Sequence, residues 1–249
     1  MALLTTNSVL DQVMTHARRS HPIEACGMVV SQRGERVASE VVPFRNQVAS
    51  RVAFRFDPSE QLQVALRLER QNKVCRAIYH SHTASQAYPS RQDIAGASDP
   101  GLHYLIVSTW DQATEPFRSF RLTHGAVTEE TISGSGQSVL TAHCLPTHCL
   151  PTQSTSEQAM SVVVIIPSLF QNLTTDKKKV YAQGSTVGQV IEHLESQFPG
   201  LKRKLIDDKT AHEFINLYVN QRDIRFCEGL NTRTEPGDTL TILPAVAGG

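Results

Sequence analysis

Residues 79–93 read YHSHTASQAYPSRQD, and the spacing of their side chains organises the rest of the first half of the chain. The largely apolar stretch 75–79, CRAIY, predicts a strand ending at Tyr79, with His80 and His82 directly after it. On an extended backbone, side chains two apart point the same way, so both imidazoles can address one ion. Asp93 follows after Pro89-Ser90, which turn the chain back. Two neutral imidazoles and a carboxylate form the three-ligand set of hydrolytic zinc, with the fourth position left to water. A general base must hold that water, and Glu24, in His21-Pro22-Ile23-Glu24-Ala25-Cys26-Gly27, is the candidate. Ser90 can cap a helix starting near Asp93 or serve the reaction, and the residues alone leave both open. Cys26 and Cys75 read as small buried hydrophobes.

Outward from this stretch, residues 1–130 read as α/β. Val9, Leu10, Val13, Met14 and Ala17 form one apolar stripe and predict an opening helix capped by Ser8. Strands are expected at 27–31, 36–44, 75–79, 103–109 and 117–122. Asp57-Pro58-Ser59-Glu60 is a helix start, with Asp57 as cap, Pro58 in the first turn and Glu60 closing a capping box. All charges lie in 1–130 or 157–249. The 26 residues between them, 131–156, carry none and contain HCLPT twice in tandem, at 143–147 and 148–152. That composition reads as a linker, assigned to 131–159; its two His and two Cys do not have the spacing of zinc knuckles.

Residues 160–249 read as β-β-α-β-β. Strands are expected at 162–167, 178–182, 216–219 and 240–243. A helix begins at Thr186, with Gln189 closing a capping box and Val187, Val190, Ile191 and Leu194 on one face. The last residues are LPAVAGG, 243–249.

The pattern Glu24…His80-Ser-His82-x7-Ser90-x2-Asp93 resembles the JAMM/MPN+ metallopeptidases. The resemblance covers about 1–130 and includes Phe54-Arg55-Phe56-Asp57-Pro58. It implies a cytidine-deaminase-like mixed sheet with flanking helices, Zn2+ held by His80, His82 and Asp93, Glu24 as general base and Ser90 assisting the oxyanion. Residues 160–249, through NLYVN at 216–220, Ile224-Arg225-Phe226, Gly237-Asp238 and ILPAVAGG at 242–249, resemble the ThiS/MoaD ubiquitin-like sulfur carriers. That resemblance implies an α+β β-grasp fold and a Gly248-Gly249 tail whose carboxylate becomes a thiocarboxylate. It also implies an E1-like adenylating and sulfur-transferring enzyme as partner. Within that family the nearest likeness is to the carriers of thiocarboxylate-dependent cysteine synthesis, which work with a cysteine synthase of the O-phosphoserine type and a JAMM peptidase.

Jointly, the two resemblances imply a zinc peptidase fused to its own carrier, hydrolysing a Gly249–cysteine amide. The carrier tail, from the same or a neighbouring chain, is expected to enter the zinc groove as an added strand. Other readings are an isopeptidase acting on Gly249–lysine conjugates, a carrier for molybdopterin, thiamine or another sulfur metabolite, and a carrier whose JAMM half only docks partners. Composition narrows the field. With 24 basic and 24 acidic residues the formal charge is zero, which argues against nucleic-acid and polybasic membrane roles. The longest apolar run is 162–166, and the start, MALLTTNSVLDQ, lacks a signal-peptide pattern. Five cysteines suit a reducing compartment, so a cytoplasmic location is expected.

Overall fold

A computed structural model of the chain describes residues 2–97, 99–123, 125–134, 161–207, 210–212 and 214–249. The HCLPT repeats and most of the expected linker lie outside the described residues. Two compact units emerge: described residues up to 134 together with 244–249, and those from 161 to 243. No helix among the described residues is long and apolar enough to cross a membrane.

The first unit runs β1 (Leu3–Thr5), α1 (Asn7–Ser20), β2 (Cys26–Gln32), β3 (Glu40–Phe44), β4 (Phe54–Arg55), α2 (Pro58–Arg70), β5 (Lys73–His82), α3 (Arg91–Gly96), β6 (His103–Ser108), β7 (Phe117–Thr123), β8 (Ala126–Glu130) and β9 (Ile132–Gly134). Six strands form one mixed sheet in the order β3-β2-β5-β6-β7-β8, with β5 and β6 parallel and the other pairs antiparallel. The central strands are buried on both faces. Val9, Val13 and Ala17 of α1 pack with Val29, Ala77, Leu105 and Val107 on one face. On the other, Val64 and Leu68 of α2 pack with Ile78, Ile106, Phe44 and Phe56.

Local chemistry accounts for the element ends, with several departures from expectation. Thr6, not Ser8, caps α1, because its side chain accepts from Val9 N. Asp57 accepts from Ser59 N and Glu60 N, so α2 starts as expected, but Glu60 Oε2 turns away to accept from Arg45 N and no capping box forms. β5 extends through His82 rather than ending at Tyr79, because β6 keeps pairing with it as far as His82↔Ser108. Residues 132–134, placed by their composition at the start of the linker, pair in parallel with β1 as β9.

The second unit contains β10 (Val162–Ile165), α4 (Ser168–Gln171), β11 (Lys179–Ala182), α5 (Val187–Gln197), α6 (Lys202–Leu205), β12 (Ile206–Asp207), β13 (Thr210–Ala211), β14 (Ile215–Val219), β15 (Arg222–Asp223) and β16 (Thr239–Pro244). Its five-stranded sheet runs β11-β10-β16-β14-β15, with β10 and β16 parallel. Val187, Val190, Ile191 and Leu194 of α5 are fully buried against Val162, Val164, Leu217, Leu240 and Ile242. Thr186 accepts from Gln189 N as expected, whereas Gln189 Oε1 accepts from Ser185 N and Oγ instead of closing the box on Thr186. This strand-and-helix order is the β-grasp arrangement.

Candidate metal centre and tail groove

Strand β5 aims His80 and His82 at the same point, and the first turn of α3 brings Asp93 to it. His80 Nε2 lies 3.1 Å from His82 Nε2 and 3.2 Å from Asp93 Oδ1, and His82 Nε2 lies 3.5 Å from Asp93 Oδ2. All three residues are buried, and they are the one group of this kind among the described residues. Tetrahedral zinc with bonds near 2.0–2.1 Å needs donor atoms separated by about 3.3 Å. The Nε2–Nε2 separation and each imidazole's distance to its nearer Asp93 oxygen lie close to that value. His82 Nδ1 faces the Gln86 carbonyl at 3.0 Å; donating there leaves the Nε2 lone pair free for a metal. Two Nε2 atoms at 3.1 Å with a carboxylate beside both are a donor set that a divalent cation completes. The residues fit zinc.

Electrostatics agree with the geometry. Burial lowers the His80 pKa, keeping its imidazole neutral, while for His82 the hydrogen bonds to Asp93 and Gln86 and the nearby carboxylates outweigh burial and raise it. Burial alone would raise Asp93, but His80, His82 and the Ser90 N–H hold its carboxyl well below the usual carboxylate range. Glu24 is 3% exposed, and its Oε2 has no hydrogen-bond partner among the described residues. Desolvation pushes its carboxyl up to about 8, with His82 opposing and Asp93 adding to the shift.

The backbone on either side of the Glu24 side chain is tied to β5 and to the loop before β4. Ser81, between the two histidines, accepts from Ala25 N at 2.8 Å and donates its own N–H to Ala25 O at 2.9 Å. Asn46 Nδ2 donates to Glu24 O at 3.0 Å and to Ala53 O at 2.9 Å, tying the loop before β2 to β4. The Phe54 ring stacks on His80, centroids 4.6 Å apart and 19° from parallel. Ser81 and Phe54 fall inside the motifs quoted above, but nothing in residue type or spacing shows these contacts, and Asn46 does not stand out at all.

Ser90 is a cap, and it also reaches the tail. Its Oγ accepts from Asp93 N and its N–H donates to Asp93 Oδ2, forming a capping box. The same hydroxyl donates to Gly249 O at 2.6 Å. Ala247 and Gly248 form β17 (Ala247–Gly248), antiparallel to β4 in the register Ala247↔Arg55, Gly248↔Phe54. Phe56 N donates to Val246 O, and Gly249 N to Asp93 Oδ1 at 2.9 Å. Val246 is 7% exposed and packs into the core with Phe44, Phe54 and Phe56, worth about 1.5 kcal/mol or more for a valine. A side chain at 248 would collide with Asp93 and come within 2.8 Å of Phe54; one at 249 would collide with Val52 and Ala53. The groove therefore takes two glycines at this position.

Residues 6–123 match the family described as prokaryotic homologs of the JAB domain, and residues 164–249 match the ThiS family. A CysO-cysteine peptidase of Mycobacterium tuberculosis (strain ATCC 25618 / H37Rv) is 40% identical over 131 residues, 53% of this chain and 90% of the relative. The sulfur carrier protein CysO of the same strain is 45% identical over 93 residues, 36% of this chain and 100% of the relative. The chain belongs to both families, JAB at its N-terminal side and ThiS at its C-terminal side. The JAB part is also 34% identical over 103 residues to a desampylase of Haloferax volcanii, covering 39% of this chain and 74% of that protein. The metal-capable triad lies wholly in the JAB part, and the glycines that reach it belong to the ThiS part.

Proposed function

We propose that this protein is a zinc peptidase joined to its own sulfur carrier, and that it hydrolyses an amide between Gly249 and cysteine to release cysteine. The observation that carries the reading is the Gly249 carbonyl, hydrogen-bonded to Ser90 Oγ beside His80, His82 and Asp93. When bound by those three residues, zinc supplies the Lewis acidity that polarises the scissile carbonyl and makes a water acidic enough to lose its proton near neutral pH. Glu24 takes that proton as general base, a cation held by the neighbouring His80, His82 and Asp93 favouring the ionised carboxylate that a base must be. Ser90 Oγ–H stabilises the charge that develops on Gly249 O. Asp93 Oδ1 accepts the Gly249 N–H and so fixes the peptide plane next to the bond that breaks. The C–N bond after Gly249 opens, Glu24 returns its proton to the departing amine, and the carbonyl carbon keeps the water oxygen as a carboxylate. The carrier half needs an E1-like enzyme to convert that carboxylate to a thiocarboxylate, and a cysteine synthase of the O-phosphoserine type to consume it.

A second reading, cleavage of Gly249–lysine isopeptides, is favoured by the likeness to the desampylase. The two separate by substrate. Full-length chain carrying cysteine on Gly249 should lose it, whereas a Gly249–lysine isopeptide should turn over more slowly. Faster turnover of the isopeptide would transfer the assignment to the second reading.

Ser90→Ala should retain zinc and lose about 10²–10³ in turnover, the usual cost of removing one oxyanion donor. Loss of the helix cap adds about 1 kcal/mol of instability. Ser90→Asp separates the two roles, since it restores a capping acceptor but has no hydroxyl to donate. It should be as inactive as Ser90→Ala; turnover restored in Ser90→Asp would reduce Ser90 to a cap.

A further inference from the structure

Two residues outside the metal centre contact the tail and have no part in the reaction above. Gln61, in the first turn of α2, donates from Nε2 to the Pro244 carbonyl at 2.8 Å, across 183 positions of sequence. It is 4% exposed, and its Oε1 is buried without a hydrogen-bond partner among the described residues. A buried amide with one end unsatisfied is costly, and its satisfied end is spent on the tail. Gly96, the last residue of α3, stands against the tail three residues further on. A methyl group there would collide with the Ala247 carbonyl oxygen and lie 3.3 Å from Ala247 C. Among the described residues, leaving aside its own helix and chain neighbours, the nearest atoms to that methyl are those of the tail. The space an alanine would fill at 96 is the space the tail occupies.

We propose that Gln61 and Gly96 are specificity-determining residues of the tail groove. Gln61 grips the Pro244 carbonyl and Gly96 sets the clearance at Ala247, so an extended tail is held in the one register that delivers Gly249 O to Ser90. Side chains alternate along an extended strand, so a slip of one residue would turn Val246 out of its apolar socket and bring a different carbonyl to Ser90. The substrate class is then narrower than diglycine-ended proteins: ubiquitin-like carriers whose last six residues can follow this path, with an aliphatic residue three before the final glycine. This inference rests on the tail-cleavage reading for its consequence in turnover, but not for its geometry.

Gly96→Ala is a direct probe, because alanine favours the helix and its methyl would collide with the tail. Gln61→Met keeps volume and removes the donor. In full-length protein carrying cysteine on Gly249, Gly96→Ala should slow cysteine release at least about tenfold, and Gln61→Met about two- to tenfold, the range for one hydrogen bond. Both should bind zinc as the parent does. Hydrogen exchange at the Gly249 amide, which donates to Asp93 in the docked tail, should accelerate in both variants. Release and amide protection equal to the parent's in both would overturn the proposal. If the parent itself releases no cysteine, the reaction assigned above fails, and the amide arm still decides the groove: lost protection in Gly96→Ala supports it, and unchanged protection overturns it.

Discussion

Replacing Glu24 by glutamine should leave a folded, zinc-binding protein that is about 10²–10⁴-fold slower in cysteine release, the contribution of a positioned general base. The magnitude follows from the position of the carboxyl. It is buried, its Oε2 has no partner among the described residues, and it lies within electrostatic reach of His82 and Asp93. Glutamine has the same shape and can neither take nor return a proton. Stability should move the other way in metal-stripped protein. The folded carboxyl is raised from an ordinary 4.5 to about 8, so between those values the native state holds a proton that the unfolded chain has lost. Its contribution to stability therefore falls as pH rises through that window. Glu24→Gln removes the group that titrates, so stripped Glu24→Gln protein should melt above stripped parent at pH 8, with a smaller difference at pH 5. Turnover within twofold of the parent would remove Glu24 from the reaction.

His82→Ala should abolish hydrolysis and strip the protein of zinc. Changes to the groups that merely orient a ligand cost about 10–100-fold in metal affinity, and removal of a ligand should exceed that. Two of the three donor separations at the centre involve His82 Nε2, so its loss leaves His80 and Asp93 as a two-donor site. The strand should survive, because β5 is held by main-chain pairing to β2 and β6 on both sides. Metal analysis after dialysis checks the point: full zinc occupancy in His82→Ala would mean that the ligands lie elsewhere.

Much of this site is legible in residues 79–93, for a physical reason. Strand geometry makes His80 and His82 neighbours in space because they are two apart in sequence, and a capping turn places Ser90 and Asp93 three apart on one helix end. Short spacings translate directly into geometry. The supports of the site are not legible, because they join distant segments. Ser81 reaches Ala25, Asn46 ties Glu24 to Ala53, and Gln61 finds Pro244. Each is a polar residue whose partner depends on the finished fold. Gly96 reads locally as an ordinary helix end, and nothing nearby shows that residue 247 lies against it. In the same way Ile132-Ser133-Gly134, at the edge of an uncharged stretch, becomes a strand because β1 is there to pair with it and Ile132 packs on the core beneath.

The most direct test of the central claim follows one covalent bond. Full-length protein extended by a single cysteine after Gly249 should be purified without metal, and its intact mass followed after zinc is added and, separately, with a chelator present. The expected result is loss of that cysteine in the zinc sample, leaving Gly249 as the last residue, with the extended chain persisting under chelation. Retention of the cysteine by protein that has taken up zinc and docked its tail would contradict the account.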